Sequence, residues 1–136
     1  LRPIVISGDQ GMGKTTSLCT LTAGALTSGE CRVAVVDPLG SMEGFENFRF
    51  TAEDALVLID ALLDRSIEED DSDWVFVGID DADHLGPDIV DRLHVLLRRA
   101  ASRHVALVVV FSSSDEVTRV ADETALKIRF GAPKDA

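Results

Sequence analysis

The stretch Gly8-Asp9-Gln10-Gly11-Met12-Gly13-Lys14-Thr15 reads G-x-x-x-x-G-K-[ST], the P-loop or Walker A pattern. It constrains backbone and ligand together. A loop wrapped around phosphate must point several N–H groups inward, and glycines allow this without Cβ clashes. Lys14 is placed to reach the outer phosphates and the Thr15 hydroxyl to ligate Mg²⁺. The helix that follows turns its positive end towards the same anion. The residues expected around a nucleotide's phosphates are therefore Gly8, Asp9, Gln10, Gly11, Met12, Gly13, Lys14, Thr15 and Thr16.

A glycine-rich turn that carries Lys-Thr by chance is the plain alternative, and the flanking sequence argues against it. Pro3-Ile4-Val5-Ile6-Ser7 is a short apolar run that suits a buried strand. Thr16 to Leu26 follows with Leu18, Leu21, Thr22 and Ala25 on one helical face. Strand, glycine loop and helix is the context that the motif demands.

A second stretch carries the complementary chemistry. Trp74 to Ile79 is a strand-like apolar run that ends in Asp80-Asp81, the form of a Walker B element. Asp80 is expected to hold the Mg²⁺ shell and Asp81 to orient the attacking water. An acidic turn at a strand end would look the same in isolation. Its distance from the P-loop is what favours the catalytic reading.

The rest of the chain alternates in the same way. Arg32–Val36 reads as a buried strand ending in Asp37-Pro38-Leu39-Gly40, and Ser41 to Phe50 reads as irregular, with Phe45, Phe48 and Phe50 anchoring it on the core. Thr51 is an N-cap with Glu53 and Asp54 in the first turn. Ala55, Leu56, Ile59, Leu62 and Leu63 then keep helical period. Gly86-Pro87 opens another helix with a stripe of Ile89, Leu93, Leu96, Leu97 and Ala100. Val105–Phe111 is the most apolar strand and ends in Ser112-Ser113-Ser114. A short helix is expected over 115–122, and Ala125–Phe130 alternates as a fifth, half-exposed strand. Strands alternating with helices predict an α/β three-layer sandwich around a mostly parallel sheet of about five strands. Ligands then bind at the carboxyl ends of the strands. The P-loop, Asp37, Asp80, Asp81 and Ser112–Ser114 all fall at such ends.

Charge and composition narrow the partners. The 136 residues fit one domain over 1–136, and the start at Leu1 suggests part of a larger protein. Net charge is −11, and still −6 without the five acids of 68–73, so a DNA grip is disfavoured. Arg98, Arg99 and Arg103 cluster at a helix end, where they suit its dipole; the other reading is a phosphate or subunit contact. Cys19 and Cys31 lack metal spacing and read as buried reduced thiols in a cytosolic protein. His84, His94 and His104 lie ten residues apart and form no metal constellation. No apolar run is long enough to span a membrane, and no signal peptide is visible. The expected location is a cytoplasmic domain, whose parent protein carries any membrane anchor.

These residues resemble the additional-strand P-loop ATPases of RecA-like fold. The resemblance implies that the serine-tipped strand lies between the P-loop and Walker B strands, so that Ser112 or Ser113 senses the γ-phosphate. Within that class the chain is similar to the FtsK/SpoIIIE family, on Val36-Asp37-Pro38-Leu39-Gly40, Phe50 to Ala55, Leu97 to Phe111 and Leu126 to Phe130. The family includes DNA translocases and the multi-domain ATPases of type VII secretion. Active motors carry Asp-Glu at Walker B, Gln at the sensor and often Lys where Leu39 stands. Here the sequence has Asp80-Asp81 and a serine tip, which tilts the resemblance to the secretion branch. It implies ATP and Mg²⁺ as cofactors, with Lys14, Asp81, Ser112 and Ser113 as the catalytic group and Thr15 and Asp80 as metal ligands. The implied partners are ring neighbours or tandem ATPase domains and a secreted protein substrate. The arginine cluster is a candidate finger towards a neighbour's nucleotide. Two other readings stand beside it: a degenerate ATP-binding docking domain, and a DNA translocase or DnaA-like ATPase, the latter requiring a helical lid beyond the last strand.

Overall fold

The computed structural model describes residues 3–8, 13–65, 73–112 and 126–130. Among these, β1 is Ile4–Gly8, α1 Lys14–Ser28, β2 Cys31–Val36, β3 Arg49–Phe50, α2 Ala52–Leu63, β4 Trp74–Ile79, α3 Pro87–Arg99, β5 Val105–Phe111 and β6 Leu126–Phe130. The strands form one parallel sheet in the order β3-β2-β4-β5-β1-β6. The serine-tipped β5 thus lies between β1 and β4, as the resemblance implied.

Strand periodicity builds the three layers. Neighbouring side chains on a strand face opposite ways. Val5, Val36, Val77, Ile79, Leu107, Val109 and Phe111 accordingly join one core with α2 and α3. Ile6, Val35, Phe76, Val108 and Val110 join a second core with Leu18 of α1. Both faces of the central strands are covered, which is why they read as continuous apolar runs. Gly78 brings α1 close: a Cβ built there would stand 2.9 Å from Cδ1 of Leu18 and 3.5 Å from the Thr22 hydroxyl.

Helix boundaries follow their capping chemistry. The Thr51 hydroxyl accepts from the Asp54 amide at the start of α2, and Pro87 occupies the first turn of α3. On α3, Val90 takes a fully buried place in the stripe and Ile89 is only half-buried.

Several expectations need correction. The segment Ser41–Phe50 is not wholly irregular: a 3₁₀ turn spans Glu46–Phe48 and β3 adds a sixth strand at the edge beside β2. The two-residue length of β3 explains why no alternation signalled it. Phe45 and Phe48 do pack on the α1-side core and Phe50 on the other. Leu21 is exposed, because the buried side of α1 is the narrow line Lys14, Leu18 and Thr22. Cys19 and Cys31 are free but only half-buried. The expected helix over 115–122, the acids of 68–71, and residues Ser113 and Ser114 lie outside the described residues.

Candidate functional site

Register places the chemistry on one edge. Val36 pairs with Ile79 and Ile79 with Val109, while Ser7 pairs with Phe111. The residues that follow these strands, Asp37, Asp80 and Ser112, therefore come to one edge of the sheet together with Gly8. The Asp80 amide donates to the Val36 carbonyl at 2.9 Å, which extends the β2–β4 ladder to the site.

Asp9, Gln10, Gly11 and Met12 lie outside the described residues; both ends of the loop are described. Gly13 has φ of 87°, a left-handed conformation that favours glycine, and it is the N-cap of α1. The chain thereby turns directly into the first helical turn, which carries Lys14, Thr15 and Thr16. Lys14 is 7% exposed and its ammonium donates to the Gly8 carbonyl across the loop. The Thr15 hydroxyl lies 3.0 Å from one Asp80 carboxylate oxygen and 3.3 Å from the other. Thr16 points outward, and its carbonyl accepts the Thr20 hydroxyl.

Asp80 is fully buried, and its carboxyl is pushed up to about 6 by burial first and by Asp81 second, with the Thr15 hydrogen bond opposing. Asp81 is half-buried and also raised, by burial before any charge, although His84 pulls it down. Asp81 adopts φ of 47°, uncommon for a residue with a Cβ, at the head of the 3₁₀ turn Ala82–His84.

A third carboxylate joins them. Oxygens of Asp37, Asp80 and Asp81 lie within 4.8 Å of one another. The Asp37 carboxylate also accepts the Ser41 and Met42 amides at 2.9 and 2.8 Å, which shapes the turn after β2. Sequence reasoning placed Asp37 on the ligand edge without giving it a role. Its signal was an acid directly after a buried strand. Three carboxylates and a hydroxyl are hard oxygen donors, the set that suits Mg²⁺ rather than a soft metal. The Asp80 carboxyl, raised by burial and then by Asp81, would be favoured in its charged form by the same ion. The Cys19 thiol is pushed up by burial and then by Asp80 and Asp37, which disfavours its thiolate.

Ser112, expected at the γ-phosphate, hydrogen-bonds Asp83. Its amide donates to Asp83 at 3.2 Å and its hydroxyl donates to the other Asp83 oxygen. Asp83 had no signal in the sequence beyond its place three residues after Asp80. The arginine cluster lies at the opposite edge, where α3 ends and β5 begins. Arg98 and Arg99 are exposed in the last turn of α3, and Arg103 Nε donates to the Leu63 carbonyl at 3.1 Å. Among the described residues no helix is long and apolar enough to cross a membrane.

No family model matches the sequence, and no curated protein matches it either. Solved structures do match in fold. The cytoplasmic domain of the Thermomonospora curvata type VII secretion ATPase EccC superposes with a TM-score of 0.70 at 17% identity, covering 98% of this chain and 20% of that one. Thermomonospora curvata EccC ATPases 2 and 3, in complex with a signal sequence peptide, gives 0.64 at 17% identity over 89% of this chain and 29% of that one. Domain III of the Thermotoga maritima replication initiation protein DnaA gives 0.56 at 17% identity, covering 97% and 55%. The chain thus spans under a third of the EccC chains it matches. It has the α/β fold of a P-loop ATPase domain and is similar in fold to the ATPase domains of EccC.

Proposed function

We propose that this chain is a Mg²⁺-dependent ATP-binding and ATP-hydrolysing domain of an FtsK/SpoIIIE-type translocation ATPase, working in a protein-secretion motor. The observation that carries the reading is the partly buried contact between Thr15 and Asp80, which joins the P-loop helix to the strand read as Walker B. The higher TM-score to EccC than to DnaA supports a secretion ATPase over an initiator. The proposed partners are neighbouring ATPase domains, in a ring or in tandem, and a secreted protein. EccC in complex with a signal sequence peptide supports the latter. Arg98 and Arg99, exposed at the far edge, are proposed to meet such a neighbour.

Each residue has one task. Lys14, released from the Gly8 carbonyl, would place its charge on the outer phosphates, where phosphoryl transfer concentrates negative charge. Loop amides from Gly8 to Thr16 would cradle the same oxygens. Thr15 and Asp80 would hold Mg²⁺, with Asp37 and Asp81 close enough to bind its water shell. The ion, when bound, neutralises phosphate charge and aligns the leaving group. Asp81 would take the hydrogen of an attacking water, a task for which its raised carboxyl is better matched to neutral pH than an ordinary aspartate.

A second reading, an ATP-filled docking domain with little turnover, draws on Ser112. Its hydroxyl is engaged by Asp83, so it offers no free donor to a phosphate in this structure. One experiment separates the two. Binding of a fluorescent ATP analogue with Mg²⁺ is measured beside phosphate release, with Lys14→Ala as control. Binding with turnover above the control supports hydrolysis. Binding without it selects the docking domain, and no binding overturns both.

A further inference from the structure

We infer that Asp83 and Ser112 are a pair of positioning residues, a two-point clamp that fixes the turn carrying Asp81. The inference rests on the hydrolytic reading of the Lys14–Thr15–Asp80–Asp81 site. It gives that site a control that the motifs alone do not specify.

Asp81 stands at a left-handed φ of 47°, a conformation uncommon for a residue with a Cβ and kept where the surroundings support it. The turn after it is short: His84 N–H donates to the Asp81 carbonyl at 2.9 Å and Leu85 N–H to the Ala82 carbonyl at 3.1 Å. Two neighbours pin it. Ala82 and Leu85 are buried in the α2–α3 core. Asp83, between them, reaches the tip of β5, where both Ser112 donors meet its two carboxylate oxygens. Bonding through both oxygens fixes the orientation of the carboxylate and not only its distance. The β5 tip and the Walker B turn thus move as one piece. Ser112 then acts on the attacking water through Asp83 and Asp81, not by touching phosphate.

The test uses Asp83→Ala, Ser112→Ala, their double variant and Asp83→Asn in the whole chain. An asparagine oxygen still accepts from the Ser112 amide, so it keeps much of the clamp without the charge. Each alanine variant should lower kcat about 10-fold with KM for Mg-ATP little changed, because the loss lies in transition-state positioning. The double variant should be no worse than either single, and Asp83→Asn should recover most of the loss. In nucleotide-free protein the His84 and Leu85 amides should exchange faster in both alanine variants and near the original rate in Asp83→Asn. If Asp83→Ala fails to fold, Ser112→Ala carries the same comparison, since it removes only a hydroxyl.

Losses that multiply in the double variant would overturn the clamp. So would a raised KM with kcat unchanged, Asp83→Asn as poor as alanine, or exchange rates that do not move. Wild-type turnover no higher than Lys14→Ala would overturn the hydrolytic reading, and this inference with it. Clear wild-type turnover that the variants leave intact overturns the clamp alone.

Discussion

The Thr15 hydroxyl sits 3.0 Å from the buried Asp80 carboxylate, across 65 residues of sequence. This contact closes the first turn of α1 onto the end of β4. It also couples two groups that would share one metal ion.

Removing the hydroxyl should therefore act through the metal. Thr15→Val keeps the side-chain shape and leaves the phosphate-facing amides in place. Affinity for a fluorescent ATP analogue should fall about 10-fold or more with Mg²⁺ present, the scale at which outer-sphere and ligand losses act on bound metal. With EDTA the two proteins should bind nearly alike. Equal losses under both conditions would locate the damage in the loop instead.

Asp80 ties stability to pH with an unusual sign. Folded Asp80 holds its proton up to about pH 6, whereas the unfolded chain releases it near 3.8. Folding takes up a proton between those values, so this residue's contribution to stability falls as pH rises through that window. Above it the metal-free protein carries a buried charge. Asp80→Asn should then melt higher than wild type in EDTA above pH 6. The difference should shrink as pH falls through the window and vanish below about 4. Scanning calorimetry of both proteins across pH checks this, and a gap that does not depend on pH would refute it.

The parts of the site legible in sequence are those where one chemical demand acts locally. Gly13 heads α1 in a left-handed conformation with Lys14 and Thr15 in the turn after it, and the buried run to Ile79 brings Asp80 to the strand end within hydrogen-bond reach of Thr15. The sheet order was legible only through resemblance to known ATPases, since no local pattern states which strands pair. Asp83 and Ser112 were invisible as a pair because their contact spans 29 residues and depends on how a short turn meets a strand tip. Leu21 misled for a related reason. Apolar spacing put it on the buried face, but α1 meets the sheet along a narrow line through Leu18 and Thr22, with Gly78 beneath.

That line gives a packing prediction. A Cβ at Gly78 would stand 2.9 Å from Leu18 Cδ1, closer than such atoms approach, and Leu18 is fully buried. Gly78→Ala should be tolerated by a small shift of Leu18. Gly78→Val adds branches that push α1 off the sheet, an overpacking cost of about 1–3 kcal/mol. Since α1 begins at Lys14, nucleotide affinity should fall with stability. Urea unfolding and analogue binding, read on both variants, check the linkage; loss of stability with unchanged affinity would break it.

The opposite edge of the sheet should behave differently. The Arg65 guanidinium donates to the carbonyls of Asp73, Arg103 and His104 at 2.9, 3.2 and 3.3 Å. It thus joins the end of α2 to the starts of β4 and β5. The stacked rings of Trp74 and His104 lie beside it, with centroids 4.7 Å apart. Arg65→Ala removes all three bonds and takes this donor from the partly buried Arg103 carbonyl, while the His104 carbonyl keeps the Val75 amide; it should cost about 1–3 kcal/mol in urea unfolding. Arg65→Lys should restore little, because an ammonium cannot present several donors in one fixed plane. Neither variant should alter nucleotide affinity by more than about 2-fold, since contacts far from a site act on it nearly independently. A large affinity change in Arg65→Ala would mean that strain at the starts of β4 and β5 reaches Asp80 along the strand.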